Sequence, residues 1–241
     1  MEFKSTTIDL GRATVRLRVP AEPDRILNDA VAAEQNGGPS TDPYWGLLWN
    51  AATPTARLVL GHMWKPGTAV VELGCGTGLV GIAGLMAGLD VTFTDLVPEA
   101  VALAVENAVL NGFAGACGKV LDWRTPEHPR VEVLLASDVL YDEDSHDALL
   151  SAAETLLSEQ GTLWIGDPGR EPARRFLQRA AEAWSIRLCA DDGTEIIQPQ
   201  RGRFQLLELK RRTAANHSSF SGRFINSSVA ARGDLFSNST R

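Results

Sequence analysis

The chain has 241 residues, 44% of them hydrophobic, which is enough for one large core and short for two full domains. Its formal charge of −7 does not favour a nucleic-acid backbone as partner. The last 31 residues carry five arginines and one aspartate; setting them aside leaves 18 basic and 29 acidic residues, a net of −11 over residues 1–210. An acidic body suits a basic peptide or protein surface. Cys75, Cys117 and Cys189 are odd in number and contain no C-x-x-C pair, and the four histidines have no metal-ligand spacing, so neither a disulfide framework nor a zinc site is expected. No apolar run reaches the roughly 18 residues of a membrane span, and the first residues lack a signal-peptide core, so the cytoplasm is the expected location.

In chain order, Thr6 to Val19 alternates like a β-hairpin turning near Gly11 and Arg12. Residues 24–33 predict a short helix, and Asn36 to Ser40 a loop. Thr53 to Trp64 predicts an apolar helix with Thr53 as cap and Pro54 in its first turn. From Ala69 onward strand and helix alternate. Strands are expected at 69–73, 90–95, 116–121, 131–135 and 162–165, and helices at 79–86, 98–112, 143–158 and 170–184. Residues 185–190 and 204–209 follow as two strands with no helical pattern between them, which predicts an antiparallel pair. The sum is a doubly wound, mostly parallel seven-stranded α/β sheet preceded by a hairpin and helix. Residues 213–241 are rich in Ser, Asn, Ala and Arg with little periodicity and are expected to be disordered.

The most informative segment is Glu72-Leu73-Gly74-Cys75-Gly76-Thr77-Gly78, a strand end followed by three alternate glycines and then a helix. Such a turn lets a ligand lie against bare backbone at the carboxyl end of a sheet. Gly76, Gly78 and Gly81 satisfy the dinucleotide G-x-G-x-x-G, but that pattern is weak by itself, and the Gly-Lys-Ser/Thr of a phosphate loop is missing. Glu72 sits poorly beside a pyrophosphate and suits a ligand with a cationic end. Asp95, ending the next strand, can accept hydrogen bonds from both hydroxyls of a ribose, or cap the helix that starts near Pro98. Cys75 reads as a small buried thiol rather than a nucleophile.

The E-L-G-C-G-T-G pattern resembles the first motif of the seven-strand methyltransferases that use S-adenosylmethionine. The resemblance implies a Rossmann-like methyltransferase domain over residues 42–210, an N-terminal extension over 1–41 and a tail over 211–241. It implies that Glu72, Gly74, Gly76, Gly78 and Asp95 meet the cofactor, that Asp122 meets the adenine amino group, and that Trp123 packs on the ring. Trp123 reads equally well as a half-exposed core residue.

The fourth strand runs into Leu135-Ala136-Ser137-Asp138-Val139-Leu140-Tyr141, where enzymes of this fold face the transferred methyl group. The Asn/Asp-Pro-Pro-aromatic run of adenine methylation is missing, whereas Asp138-x-x-Tyr141 resembles the D/E-x-x-Y/F signature of the protein-lysine methyltransferases called family 16. Pro43 to Trp49 (PYWGLLW) resembles that family's aromatic segment, where a tryptophan lies beside the cofactor; Asn50-Ala51-Ala52 departs from the Pro-Gly pair often found next. The runs at 138–144 (DVLYDED) and 166–170 (GDPGR) look like the branch that methylates the β subunit of electron transfer flavoprotein.

The implied function is methyl transfer to a lysine amine of a protein. Asp138 and Tyr141 are the catalytic candidates, and Trp49 and Ser137 join the cofactor set. Asp138 would attract and orient the ammonium, although a carboxylate also raises the lysine pKa and so opposes loss of its proton. The plainer readings are a helix cap for Asp138, packing for Tyr141, and a turn for Asp167-Pro168-Gly169. A small-molecule amine methyltransferase and a non-catalytic binding protein of the same fold are the alternatives. A metal, a nucleic-acid partner and a membrane are not expected.

Overall fold

A computed structural model describes residues 1–37 and 43–212. Gly38 to Ser40 of the expected loop and the tail beyond Arg212 lie outside the described residues. Met1–Arg211 form one compact unit.

Two strands, β1 (Phe3–Asp9) and β2 (Thr14–Pro20), pair antiparallel as the expected hairpin, and α1 (Pro23–Gln35) follows. The hairpin buries Val15, Leu17 and Val19 in a core shared with helices of the main domain. A short 3-10 turn at Pro43–Gly46 leads into α2 (Ala52–Gly61). Thr53 is not the cap of α2. Ala51 holds that position with no side-chain cap, and its N–H is taken up by a carboxylate from elsewhere in the chain.

The main sheet contains β3 (Ala69–Leu73), β4 (Asp90–Asp95), β5 (Cys117–Val120), β6 (Val131–Ser137), β7 (Leu157–Asp167), β8 (Trp184–Cys189), β9 (Glu195–Ile196) and β10 (Gln205–Arg211). Their order across the sheet is β5-β4-β3-β6-β7-β10-β8-β9. The first five run parallel, and β10 lies antiparallel to both β7 and β8. α3 (Leu79–Met86), α4 (Pro98–Leu110), α5 (His146–Leu156) and α6 (Glu171–Ala180) fill the crossovers. The doubly wound expectation therefore describes the sheet, with β9 as a two-residue addition at the edge.

The local sequence accounts for these elements. Val70 to Leu73 and most of β6 are buried, as a central parallel strand must be when helices cover both faces. β5 is exposed throughout, which is why its apolar pattern is weak: it is the edge. Two further expectations need correction. β7 is eleven residues long and starts where α5 ends, because Leu157 already pairs with Val131 beside a register shift at Val131/Val133. α6 stops at Ala180, so the buried Trp184 opens β8 instead of closing the helix.

The order reverses between β3 and β6. β3 leads left to β4 and β5, while β6 leads right to β7. In an open α/β sheet ligands collect at this switch point, outside the carboxyl ends of the strands. The glycine turn follows β3 and Asp138 follows β6, so two segments 64 positions apart in sequence face one crevice.

Candidate active site

The glycine turn has the backbone that its sequence demands. Gly76 and Gly78 have φ of +49° and +82°, where a side chain is strained. A Cβ on Gly76 would also come within 3.0 Å of the Trp45 carbonyl oxygen, and one on Gly78 within 2.8 Å of the Ala104 Cβ. Asp95 braces the turn: Oδ2 accepts the Gly76 N–H at 3.0 Å and Oδ1 the Val97 N–H at 3.0 Å. Val97, not Asp95, is the cap residue of α4.

A cleft opens at this turn, lined by Trp49, Glu72, Gly74, Gly76 and Ser137 together with Leu47, Leu48 and Thr77. Glu72 is fully enclosed. Burial pushes its carboxyl up to about 8, the Asp95 charge adds to that, and the Gly81 N–H opposes it. Glu72 Oε2 and Ser137 Oγ are buried without a hydrogen-bond partner among the described residues. A cleft walled by bare glycine backbone and holding an unpartnered carboxylate oxygen and hydroxyl fits a ligand with a cationic, amino-acid-like end. Cys75 is buried as expected, and burial raises its thiol well above the usual range.

Trp123 is half-buried near the floor: a Cβ on Gly74 would lie 3.6 Å from its Cζ2. Asp122 is engaged by its neighbour. Arg124 Nε and Nη2 donate to both carboxylate oxygens at 2.7–3.0 Å, and these bonds hold the Asp122 carboxyl below its usual range. Of the expected cofactor residues, Trp49, Glu72, Gly74, Gly76 and Ser137 line the cleft, whereas Gly78, Asp95, Asp122 and Trp123 are not among its lining residues; Trp123 also packs against the main core.

Asp138 lies directly past β6 with φ of +59°, the left-handed region that few residues other than glycine adopt. Its N–H donates to the Gly166 carbonyl at 2.9 Å, and its carboxylate turns inward. Oδ2 accepts the Ala51 N–H at 2.7 Å at the start of α2, and Oδ1 accepts Arg170 Nη2 at 2.5 Å. Both carboxylate oxygens are thus engaged, one by a helix N-terminus and one by a guanidinium. The local helix cap is a different residue, Asp142, which accepts the Asp144 N–H. Tyr141 stands 42% exposed at the mouth, edge-on to Tyr44 at 6.2 Å between ring centres. Tyr44 in turn meets Trp49 edge-on at 5.8 Å, and the Arg170 guanidinium lies 5.3 Å from the centre of a Trp49 ring.

Arg170 is the partner that sequence reasoning missed. The GDPGR run holds turn chemistry, and Asp167 Oδ1 does accept the Gly169 and Arg170 N–H groups. Nothing in that run points to a carboxylate 32 positions away. Tyr44 was legible only as part of the PYWGLLW segment, and the Ala51 N–H not at all. Among the described residues no group of three His, Cys, Asp or Glu side chains could hold a metal ion.

The fold is that of the Rossmann-like methyltransferases. Ribosomal protein L11 methylase from Lactobacillus delbrueckii subsp. bulgaricus shares the fold, with a TM-score of 0.61 and 21% identity over 86% of this chain and 100% of that one. The family is settled by sequence: the family described as lysine methyltransferase matches residues 46–183, more than half of the chain, and the chain belongs to it. The electron transfer flavoprotein beta subunit lysine methyltransferase of Danio rerio is 32% identical over 151 residues, covering 59% of this chain and 58% of that protein. The protein N-lysine methyltransferase METTL21A of Danio rerio is 31% identical over 149 residues, covering 58% of this chain and 68% of its own length. The chain thus spans between half and about two-thirds of these relatives. S-adenosylmethionine is the cofactor of this family and fold, and the Glu72 carboxyl and Ser137 hydroxyl in the cleft suit its amino-acid end.

Proposed function

We propose that this protein transfers a methyl group from S-adenosylmethionine to a lysine side chain of a protein substrate. The observation that carries the reading is the junction of two sites at one switch point: the glycine cleft, where Glu72 Oε2 and Ser137 Oγ have no partner among the described residues, and the Asp138 carboxylate, whose partner Arg170 lies on Trp49 beside the Tyr44–Tyr141 pair. Family membership supports the same acceptor.

When bound, S-adenosylmethionine supplies a methyl group on a positively charged sulfur, open to attack by an uncharged amine. The residues of this chain bind and orient. Glu72 and Ser137 offer a carboxylate and a hydroxyl to the amino-acid end, and Asp95 offers a carboxylate to a ribose. Trp123 offers a ring beside Gly74. Tyr44 and Tyr141 form an exposed aromatic rim along which the methylene stem of a lysine can lie while its amine passes inward. Asp138 marks the inner end of that path. Holding the two reactants in line is the main source of acceleration in such a transfer.

Within protein substrates, the β subunit of electron transfer flavoprotein is the first to try, because relatives of this chain carry that activity in their names. The test combines purified protein, methyl-labelled S-adenosylmethionine and either that subunit or a cell extract. Label in acid-precipitable protein, recovered as methyl-lysine after hydrolysis and lost with Asp138→Ala, is the expected result. Label confined to small molecules overturns the protein-substrate reading.

A further inference from the structure

The Asp138–Arg170 pair presents a problem that the motif does not reveal. An acidic residue at the methyl-transfer point is expected to attract a lysine ammonium, yet here the carboxylate already has partners on both oxygens. Its side chain is 1% exposed, while that of Arg170 is 26% exposed. The guanidinium reaches across from the loop before α6, touches the carboxylate at 2.5 Å, and lies 5.3 Å from the centre of a Trp49 ring in the wall of the cofactor cleft. Arg170 is therefore fixed between the acidic group and the cofactor side of the site. Its Nε is buried and unpartnered among the described residues.

The electrostatics of such a pair differ from those of a bare carboxylate. A lone carboxylate within about 4–6 Å of an amine raises the amine pKa by roughly 1–3 units. A free lysine already sits near 10.4, so each further unit removes about tenfold of the reactive free base at neutral pH. A guanidinium bonded to the same carboxylate opposes that effect with a charge of equal size. The other ionisable groups near the pair are few. Asp167, in the loop that carries Arg170, is buried; burial raises its carboxyl, which keeps its proton more readily, and Arg170 opposes the rise. Glu72, beneath the cleft, is raised to about 8. Tyr44 and Tyr141 stand at the mouth, and Glu143 beyond them is paired with Arg175.

We infer that Arg170 is a positioning residue that cancels the charge of Asp138 toward the incoming amine. The carboxylate then orients the acceptor through its remaining lone pairs without holding it protonated. The inference rests on the lysine reading above.

The test is the pH dependence of kcat and of kcat/KM for the wild type, Arg170→Gln and Arg170→Lys, on the protein that takes up label in the transfer assay. The two profiles report different species: kcat reports groups in the bound complex, kcat/KM those in free enzyme and free substrate. Arg170→Gln is expected to move the rising limb of kcat upward by about one pH unit while leaving the limb of kcat/KM in place, and Arg170→Lys to restore the wild-type limb. A kcat limb that superimposes on the wild type overturns the inference. So does a lower KM with an unmoved limb, which would make Arg170 an occupant that the acceptor displaces. If both variants bind S-adenosylhomocysteine by calorimetry yet are inactive at every pH, the pair is scaffold and the inference fails. Label on a residue other than lysine defeats the underlying function instead, whatever the limbs show.

Discussion

Glu72 shows how much chemistry one enclosed side chain can carry. Below about pH 4.5 it is protonated in both the folded and the unfolded chain and contributes no pH dependence. Between 4.5 and about 8 the unfolded chain releases the proton and the folded protein keeps it, so stability falls as pH rises, by up to about 1.4 kcal/mol per pH unit. Above about 8 the loss is complete. Glu72→Gln should remove this slope: thermal unfolding between pH 5 and 8.5 should show a flatter profile, with the variant more stable than wild type at the alkaline end. Cofactor binding reverses the argument. A ligand ammonium needs the ionised carboxylate, so affinity for S-adenosylmethionine should rise with pH towards 8. Near pH 7 binding should release close to one proton, read by titration calorimetry in two buffers of different ionisation heat. The same proton count for wild type and Glu72→Gln would show that Glu72 does not meet the cationic end.

At the scale of elements, the hairpin is tied to the active site through α4. Asn107 is fully buried; its Nδ2 donates to the carbonyls of Arg18 in β2 and Thr77 in the glycine turn, both at 3.0 Å. Its Oδ1 accepts the Arg18 N–H at 2.7 Å. Asn107→Ala strips three bonds from groups with few alternatives and should cost about 2–3 kcal/mol in urea unfolding. It should also speed hydrogen exchange at the Arg18 amide and weaken cofactor binding through Thr77, which lines the cleft. Unchanged exchange at Arg18 would break that link. Asn107 illustrates what sequence withholds. In the periodicity of α4 it is one more polar position, and only the docked hairpin makes it a junction. The strands at 69–73 and 90–95 were legible to the residue, the first as a short apolar run broken only by Glu72, the second as the alternation of Val91 and Phe93 between Asp90 and Asp95. The glycine turn was legible because positive φ together with close approach to Trp45 and Ala104 strongly favours glycine there. Thr53 and Trp184 misled because tertiary partners override the local pattern: Asp138 engages the Ala51 N–H at the start of α2, and Trp184 pairs with Arg211 as the first residue of β8. The left-handed turn at Asp138 and its partner Arg170 had no local signal, since a backbone twist and a pairing across 32 positions leave no period.

Over the whole molecule, the net charge of −11 across residues 1–210 favours a basic surface on the partner. Raising salt from 50 to 300 mM should therefore raise KM for the protein substrate severalfold, while kcat changes little because the acceptor path is partly enclosed. Salt-independent KM would place the encounter on uncharged surface. The sheet adds a consequence in time. β10 lies between β7 and β8, yet it is the last of the three to be made. During synthesis the parallel half, with both halves of the crevice, can assemble as soon as β7 emerges, while β8, paired only with the two-residue β9, waits for the strand that joins it to the sheet. Until residues 205–211 arrive, β7 presents an open edge of the kind that pairs with other chains. The catalytic half can thus mature early, but a nascent chain stays vulnerable until its final strand slots into the middle.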